Sequence, residues 1–160
     1  MRAFLARLFR RAEPALAVAH PRDAAAFAAL HAASFNRGWG EQEFEQLLTD
    51  RNVLADRAAS GRNSVGFILS RRATDEAEIL SVAVARAWRG RGLARRLLDL
   101  HLRRLAGLGL RMVFLEVDEA NEPARRLYAR AGFREVGRRP GYYPQASAAR
   151  AALVLRRDLV

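Results

Sequence analysis

The sequence predicts a single α/β domain of the α+β type, in which helices flank a mixed, mostly antiparallel sheet with a central parallel strand pair. Short apolar runs separated by turns fill the first half of the domain, as expected for antiparallel strands. The second half reads strand, helix, strand, helix, strand, and two strands joined by one helix form a parallel pair with a right-handed crossover. With 160 residues, of which 51% are hydrophobic, the chain can bury the core of one such domain.

The first half is predicted to contain two helices between its strands. Phe27, Leu30 and His31 recur at the spacing of a buried helix face, so we expect His31 to pack in the core rather than to act in catalysis. A loop at 35–40 leads into the second helix, whose buried face carries Phe44. The elements are a strand at 15–19, helices from about 22 and around 44–48, and strands at 52–58 and 64–72.

The second half carries start and stop signals for its helices. Gly107 and Gly109 follow an apolar helical stripe and end its helix. Asn121 suits the N-cap of the next helix, Pro123 its first turn and Gly132 its C-terminal end. The apolar stripe of the first helix consists of Ala94, Leu98, Leu102 and Leu105. The elements are strands at 77–85, 110–117, 133–138 and 152–156, and helices at 92–106 and 121–131.

Residues 1–14 are predicted to form an arginine-rich amphipathic extension before a single domain at 15–160. Four apolar residues fall on one helical stripe, arginines surround them, and Pro14 ends the run. The pattern fits a membrane-surface helix or an import presequence. It also fits an extension that frays or packs on the domain, and we favour this interpretation. A secretory signal fits poorly, because no small-residue cleavage site follows a long apolar core. The four apolar residues are Phe4, Leu5, Leu8 and Phe9.

The composition argues against several classes of protein. The chain has no cysteine, and His20, His31 and His101 are scattered without ligand spacing, so we expect no metal site. No stretch approaches the roughly 20 apolar residues of a membrane-spanning helix. The formal net charge is +11 and every basic residue is arginine, a pattern that favours general basicity over a dedicated nucleic-acid site. The positive charge should still favour anionic ligands.

The segment Arg89–Ala94, with the sequence Arg-Gly-Arg-Gly-Leu-Ala, lies where an apolar strand turns into a helix. Free backbone N–H groups at a helix N-terminus bind anions, and glycine lets the backbone approach a phosphate closely. Arg89 and Arg91 add positive charge. The P-loop motif is excluded because the chain has no lysine, and the dinucleotide fingerprint, matched by two glycines, fails at Arg95.

The same segment meets the acyl-CoA signature Arg/Gln-x-x-Gly-x-Gly/Ala through Arg89, Gly92 and Ala94, and at this point the chain resembles the GNAT superfamily of N-acetyltransferases. Upstream, Ile79–Val84 is similar to the family's strand that pairs with the pantetheine arm of coenzyme A. The likeness spans roughly residues 15–158, and the segments at 35–44 and 142–144 are similar to the ribosomal-protein-alanine N-acetyltransferases. Downstream, it runs through Leu115–Val117, Asn121, Ala124, Leu127, Tyr128 and Ala131–Phe133.

This resemblance implies a GNAT-like sheet and an enzyme that moves an acetyl group from acetyl-CoA, its co-substrate, to the α-amine of a protein N-terminus. The acceptor implied by the subfamily is the N-terminal alanine of a small-subunit ribosomal protein, in the cytoplasm. The residues implied to contact acetyl-CoA are Val82, Ala83, Val84, Arg89, Gly90, Arg91, Gly92, Leu93, Ala94 and Asn121. Those implied to line the acceptor groove are Phe35, Trp39, Tyr142 and Tyr143.

Acetyl transfer needs a base that takes a proton from the amine and an acid that gives one to the departing thiolate. Glu116 is the expected base, because its strand neighbours Leu115 and Val117 are apolar and should face the other way. An ion pair with an arginine is the alternative role for Glu116. Glu78 is the rival base that the resemblance implies, because some members of the superfamily place the base on that strand. Tyr128 by itself would be read as a packed core tyrosine, but the resemblance, through the spacing from Asn121 to Tyr128, implies that it is the acid. A phenol is protonated at neutral pH and can therefore give a proton to the thiolate.

Other functions stay open. The same fold could acetylate a small-molecule amine or a lysine, and a basic module could keep an acyl-CoA site while binding RNA. The presence of both Glu116 and Tyr128 argues against the non-enzymatic module. Members of the resembling subfamily often carry an acidic pair before the last strand, whereas this chain has Ala-Ala-Arg-Ala-Ala at 148–152, which puts recognition of a basic peptide in doubt. Acidic residues on the second helix could supply negative charge instead; they are Glu41, Glu43 and Glu45.

Overall fold

The computed structural model describes residues 12–143 and 150–160, which form one seven-stranded sheet in the order β1-β2-β3-β4-β5-β7-β6. The pair β4–β5 is parallel and every other neighbouring pair is antiparallel, which confirms the predicted mixed sheet. The strands are β1 Ala15–Val18, β2 Val53–Ser60, β3 Asn63–Ala73, β4 Glu76–Val84, β5 Met112–Asp118, β6 Arg134–Tyr143 and β7 Arg150–Asp158. The helices are α1 Ala24–Ser34, α2 Glu41–Thr49, α3 Leu93–Gly107 and α4 Glu122–Arg130, with short 3-10 turns at Pro21–Asp23 and Arg86–Trp88.

Helices cover both faces of the sheet, and each face has its own hydrophobic cluster. On the α1/α2 face, Phe27 stacks on Phe67 at 4.5 Å between ring centroids, and Phe44 meets both rings edge-on. On the α3/α4 face, leucines of α3 pack against alternate residues of β5 and against Tyr128 and Phe133. Side chains that alternate along a strand therefore divide between the two faces, and this division decides which residues can meet.

The predicted helix boundaries hold with small shifts. Asn121 caps α4, because its side-chain oxygen accepts a hydrogen bond from the N–H of Ala124 at 3.3 Å. Gly109 and Gly132 follow their helices with φ of 83° and 87°, a left-handed conformation that favours glycine. The first helix starts at Ala24 rather than near 22, because Pro21 begins a 3-10 turn there.

The buried face of α3 is wider than the apolar stripe predicted. Besides the stripe's leucines, Leu97 and His101 are fully buried. His101 Nδ1 lies 2.7 Å from Asp56 Oδ2 on β2, and its Nε2 lies 2.6 Å from Ser70 Oγ on β3. Arg104, one turn along α3, forms an ion pair with the same aspartate. These four side chains make a polar network under α3, which the scattered histidines of the sequence did not suggest.

The parallel pair parts halfway along its length. β4 and β5 are in register only from Glu76 opposite Met112 to Ile79 opposite Leu115. Beyond that point β4 stays paired with β3, while β5 stays paired with β7. A register shift leaves Leu80 as the extra residue of a β-bulge at the point of parting. The result is a gap in the middle of the sheet, bounded by residues 80–84 and 116–118.

The expectation for residues 1–14 lies almost wholly outside the described residues. Of that segment, Pro14 accepts a hydrogen bond at its carbonyl oxygen from Arg96 on α3, and Glu13 forms an ion pair with the same arginine. Within 12–143 and 150–160, no helix is long and apolar enough to cross a membrane. The same residues contain no group of three or more histidine, aspartate or glutamate side chains placed to hold a metal ion.

Candidate functional site

The turn between β4 and α3 has the geometry of an anion site. Gly90 and Gly92 have φ of 72° and 77°, in the left-handed region, and Gly92 is the N-cap of α3. A Cβ atom placed on either glycine would meet no other atom within 4 Å, so the space beside the turn is open. The first N–H groups of α3 have no partner within the helix and point into that space.

A groove of about 540 Å³ opens beside this turn, between the end of β4, the start of α3 and one face of α4. Most of the residues predicted to bind the cofactor line it, together with the predicted acid: Val82, Ala83, Val84, Arg89, Gly90, Gly92, Leu93, Ala94 and Tyr128. Two predicted residues do not line it. The guanidinium of Arg91 lies over the ring of Trp88 at 5.1 Å, and Asn121 is the N-cap of α4.

Two hydrogen bonds hold the side chain of Arg89 against the rest of the protein. Its Nε donates to the carbonyl oxygen of Val84 at 3.0 Å, and its Nη2 donates to Ser34 Oγ at 3.1 Å. The side chain therefore ties the end of β4 to the end of α1. This arrangement holds the walls of the groove together, besides placing a positive charge at its rim.

The strand edge that faces the gap has backbone groups available. Ala85 donates its N–H to Val65 on β3, so it points away from the gap. Successive residues of an antiparallel strand direct their backbone groups to opposite sides, so Val82 and Val84 present theirs to the gap. The carbonyl oxygen of Val84 already accepts from Arg89, which leaves the N–H of Val84 and the backbone groups of Val82 for a ligand. An extended ligand lying in the gap could therefore pair with this edge as an added strand would.

Tyr128 has the properties of a proton donor at the groove wall. It is 8% exposed, its ring packs edge-on against Phe133, and its hydroxyl makes no hydrogen bond with any described residue. Burial raises the pKa of Tyr128 to about 12, because the phenolate would lose its hydration there. The hydroxyl thus stays protonated at any physiological pH.

Glu116 lies on the opposite face of the sheet. Its neighbours Leu115 and Val117 belong to the core of the α3/α4 face, so the glutamate points to the α1/α2 face, with 22% of its side chain exposed. Its Oε1 lies 3.0 Å from Nη2 of Arg139, the ion pair that the sequence left as an alternative. On β7, Arg139 stands opposite Ala152, and Glu116 stands opposite Val154, two residues further on and on the same face. The ion pair therefore spans β7 diagonally.

The rival base lies elsewhere. Glu78 is exposed and stands opposite Phe114, in the part of the parallel pair that is still in register. Glu116 is the first residue of β5 beyond that part, at the gap itself. Position relative to the gap therefore favours Glu116.

The aromatic loop after α1 is held by His31. The backbone N–H of Trp39 donates to His31 Nδ1 at 3.0 Å. The imidazole stacks on the Trp39 ring at 4.6 Å between centroids and packs against the Phe35 ring at 4.4 Å. Burial lowers the pKa of His31, which favours the neutral ring that this acceptor role requires. His31 is a packed residue, as predicted. The side chains of Tyr142 and Tyr143 lie outside what the structure describes.

Sequence reasoning missed several residues of this region. Ser81 is 6% exposed, and its hydroxyl has no hydrogen-bond partner among the described residues. It pairs with Leu69, so it points to the same face as Glu116. A serine inside an apolar strand was the available signal. Three further arginines line the groove and gave no motif to find; they are Arg95, Arg126 and Arg130.

The fold and the groove define a class of protein, and the comparison with known families agrees with it. Residues 19–133, more than half of the chain, match the Acetyltransferase (GNAT) family. The chain belongs to this family.

The chain is also similar to individual proteins. The chain is 31% identical over 122 residues to the ribosomal protein bS18-alanine N-acetyltransferase of Salmonella typhimurium, covering 73% of this chain and 78% of that protein. The crystal structure of the ribosomal-protein-S18-alanine N-acetyltransferase from Escherichia coli matches with a TM-score of 0.85 at 23% identity, over 91% of this chain and 94% of that one. Arabidopsis thaliana NAA60 in complex with acetyl-CoA matches with a TM-score of 0.79 at 20% identity, over 91% and 98%. At these identities the two structures establish a shared fold. Three other curated relatives are longer than the matched part of this chain, which spans between 22% and 64% of their length.

Proposed function

We propose that this protein is an acetyl-CoA-dependent N-acetyltransferase that acetylates the N-terminal α-amine of a protein, with alanine as the first residue. The observation that carries the proposal is the parting of β4 from β5. The gap has a groove with Tyr128 on one face of the sheet and the carboxylate of Glu116 on the other. A reaction that needs a proton donor and a proton acceptor on opposite sides of one carbonyl group fits this arrangement.

The groove suits acetyl-CoA. The open turn at the start of α3 offers N–H groups and a helix dipole to the diphosphate. The backbone groups of Val82 and the N–H of Val84 offer hydrogen bonds to the amide groups of the pantetheine arm. Bound acetyl-CoA would supply the acetyl thioester whose carbonyl carbon the acceptor amine attacks.

The chain's own residues would move the protons. Glu116 takes a proton from the acceptor's ammonium group, directly or through a water, and Tyr128 gives its phenolic proton to the departing sulfur. The C–N bond forms as the C–S bond breaks, and the acetylated nitrogen then releases its second proton to solvent. Glu116 gives up its proton to solvent and Tyr128 regains one, so both return to their starting state. The acceptor's ammonium group replaces Arg139 as the partner of Glu116.

The nature of the acceptor rests on pKa values and on the aromatic loop. An α-amine has a pKa of about 7.7–8.0, against about 10.4 for lysine, so one carboxylate base is sufficient for it. Trp39 packs in the cluster of the α1/α2 face, the face on which Glu116 also lies. An aromatic side chain beside Glu116 would leave room for the N-terminal end of an extended peptide more readily than for an internal peptide segment. The relative from Salmonella typhimurium is named for the alanine of ribosomal protein bS18, and by analogy the target here is a small-subunit ribosomal protein in the cytoplasm.

The test uses one peptide with two amines. A peptide with a free N-terminal alanine and an internal lysine is incubated with acetyl-CoA, and mass spectrometry locates the acetyl group. We expect modification of the α-amine alone. A peptide blocked at its N-terminus is the control, and its acetylation at a comparable rate would favour a lysine or small-amine enzyme. Absence of acetyl transfer to any peptide or amine would contradict the proposal as a whole.

A further inference from the structure

The groove contains positive charges on α4, away from the turn at Arg89–Ala94. Arg126 and Arg130 of α4 line it. Arg95 also lines it, but belongs to the first turn of α3, next to the glycines. Because the groove is otherwise lined mostly by apolar and small residues, the two arginines of α4 mark a separate place for an anion.

The two arginines of α4 share one side of the helix. Residues four apart on a helix lie one turn above each other, so Arg126 and Arg130 form a short cationic row. The adjacent Arg125 does not line this groove; it lines a different one with Ala129, Phe133 and Leu155. Arg126 lies between the two grooves and lines both, whereas Arg130 lines the cofactor groove and not the other. Two arginines of the helix therefore reach the cofactor groove, and Arg125 does not.

The present partners of these arginines are weak or absent. Arg126 pairs with Glu122 at 3.1 Å, with both side chains at least 60% exposed. Arg95 pairs with Asp99 at 2.9 Å, with the two side chains 42% and 38% exposed. Exposed pairs four residues apart contribute little to stability, so a phosphate can replace them. Arg130 makes no hydrogen bond or ion pair with any residue in 12–143 or 150–160.

Coenzyme A carries two separate phosphate groups: the diphosphate, and a monophosphate at the 3′ position of its ribose. The turn before α3 accounts for the first. We propose that Arg126 and Arg130, with Arg95 at the edge of the groove, bind the 3′-phosphate and make the protein select coenzyme A over its dephosphorylated form. This inference rests on the proposed use of acetyl-CoA and adds a specificity to it.

The experiment compares coenzyme A with dephospho-CoA, which lacks only the 3′-phosphate. Calorimetric titration gives the dissociation constant of each ligand for the wild-type chain and for the double variant Arg126→Gln/Arg130→Gln. We expect the wild type to bind coenzyme A about 10- to 100-fold more tightly, as charge-assisted hydrogen bonds to a phosphate would give. The double variant should bind both ligands equally, near the wild-type value for dephospho-CoA.

Arg125→Gln is the matched control, because it removes the same charge from the same helix on the side away from the groove. It should keep the wild-type preference. With acetyl-CoA as substrate, the double variant should show a raised KM and an unchanged kcat, whereas general damage to the fold would lower both kcat and affinity for dephospho-CoA.

Two results would overturn the inference alone: equal binding of both ligands by the wild type, or a double variant that keeps the wild-type preference. Binding of neither ligand by the wild type would instead contradict the proposed function.

Discussion

The glycine turn at the start of α3 gives the sharpest test of cofactor binding. Gly92 has φ of 77° and open space where a Cβ would lie, so a side chain there meets the ligand rather than the protein. Asparagine and aspartate are the residues other than glycine that best tolerate this conformation. Gly92→Asn and Gly92→Asp therefore differ in charge alone, and both should fold.

The expected magnitude follows from mass action. Acetyl-CoA at 100 times its dissociation constant stabilises the folded protein by about 2.7 kcal/mol. For a domain of this size, 1 kcal/mol raises Tm by about 2–4 °C, so the wild type should gain about 5–11 °C. Gly92→Asp should lose this gain, because its carboxylate repels the diphosphate at the positive end of the helix. Gly92→Asn should keep part of it.

Differential scanning fluorimetry with and without acetyl-CoA measures both variants. Their Tm values without ligand should agree within a few degrees, which separates loss of binding from loss of folding. A full gain in Tm for Gly92→Asp would refute the assignment of the diphosphate to this turn. Equal loss in the two variants would show that size, and not charge, excludes the ligand.

Three further results are expected. Glu116→Gln and Tyr128→Phe should keep acetyl-CoA binding, and each should lower kcat by a factor of about 10²–10⁴. The activity of Glu116→Gln should recover in part above pH 8, where the α-amine is neutral. An inactive Glu78→Gln variant beside an active Glu116→Gln variant would show that Glu78 is the base. Because the pKa of Tyr128 is raised to about 12, the wild-type rate should not decline between pH 8 and 10, and a decline there would contradict its role as acid. Ser81→Ala should raise Tm of the free protein, since it removes a buried hydroxyl without a partner; a lowered Tm would mean that the hydroxyl is satisfied.

Much of the fold could be predicted because the signals were local. The glycines, proline and asparagine that bound α3 and α4 act within one turn of the chain, and a strand–helix–strand order has one common parallel solution. The groove around the turn at Arg89–Ala94 followed from the same local pattern. Alternation along β5 correctly separated Glu116 from its apolar neighbours.

What could not be predicted depends on contacts between distant elements. Arg139 meets Glu116 because β6, β7 and β5 lie side by side, and 28 arginines in one chain gave no reason to choose that one. The burial of His101 depends on an aspartate and a serine on two different strands. The bulge at Leu80, which opens the sheet, has no residue pattern of its own.

The buried network under α3 has a consequence for the precision of the groove. A purely apolar helix face could slide or rotate on the sheet at small cost, since one leucine contact replaces another. Ser70, His101 and Asp56 permit a single placement, because any other would leave a buried aspartate without its partner. The first turn of α3, about 12 Å from His101 along the axis at 1.5 Å per residue, is thereby held in one orientation. Serine, histidine and aspartate side chains in this order activate the serine of many hydrolases. Here the same three groups are fully buried, out of reach of solvent and of any acyl group, and they fix the position of α3 on the sheet.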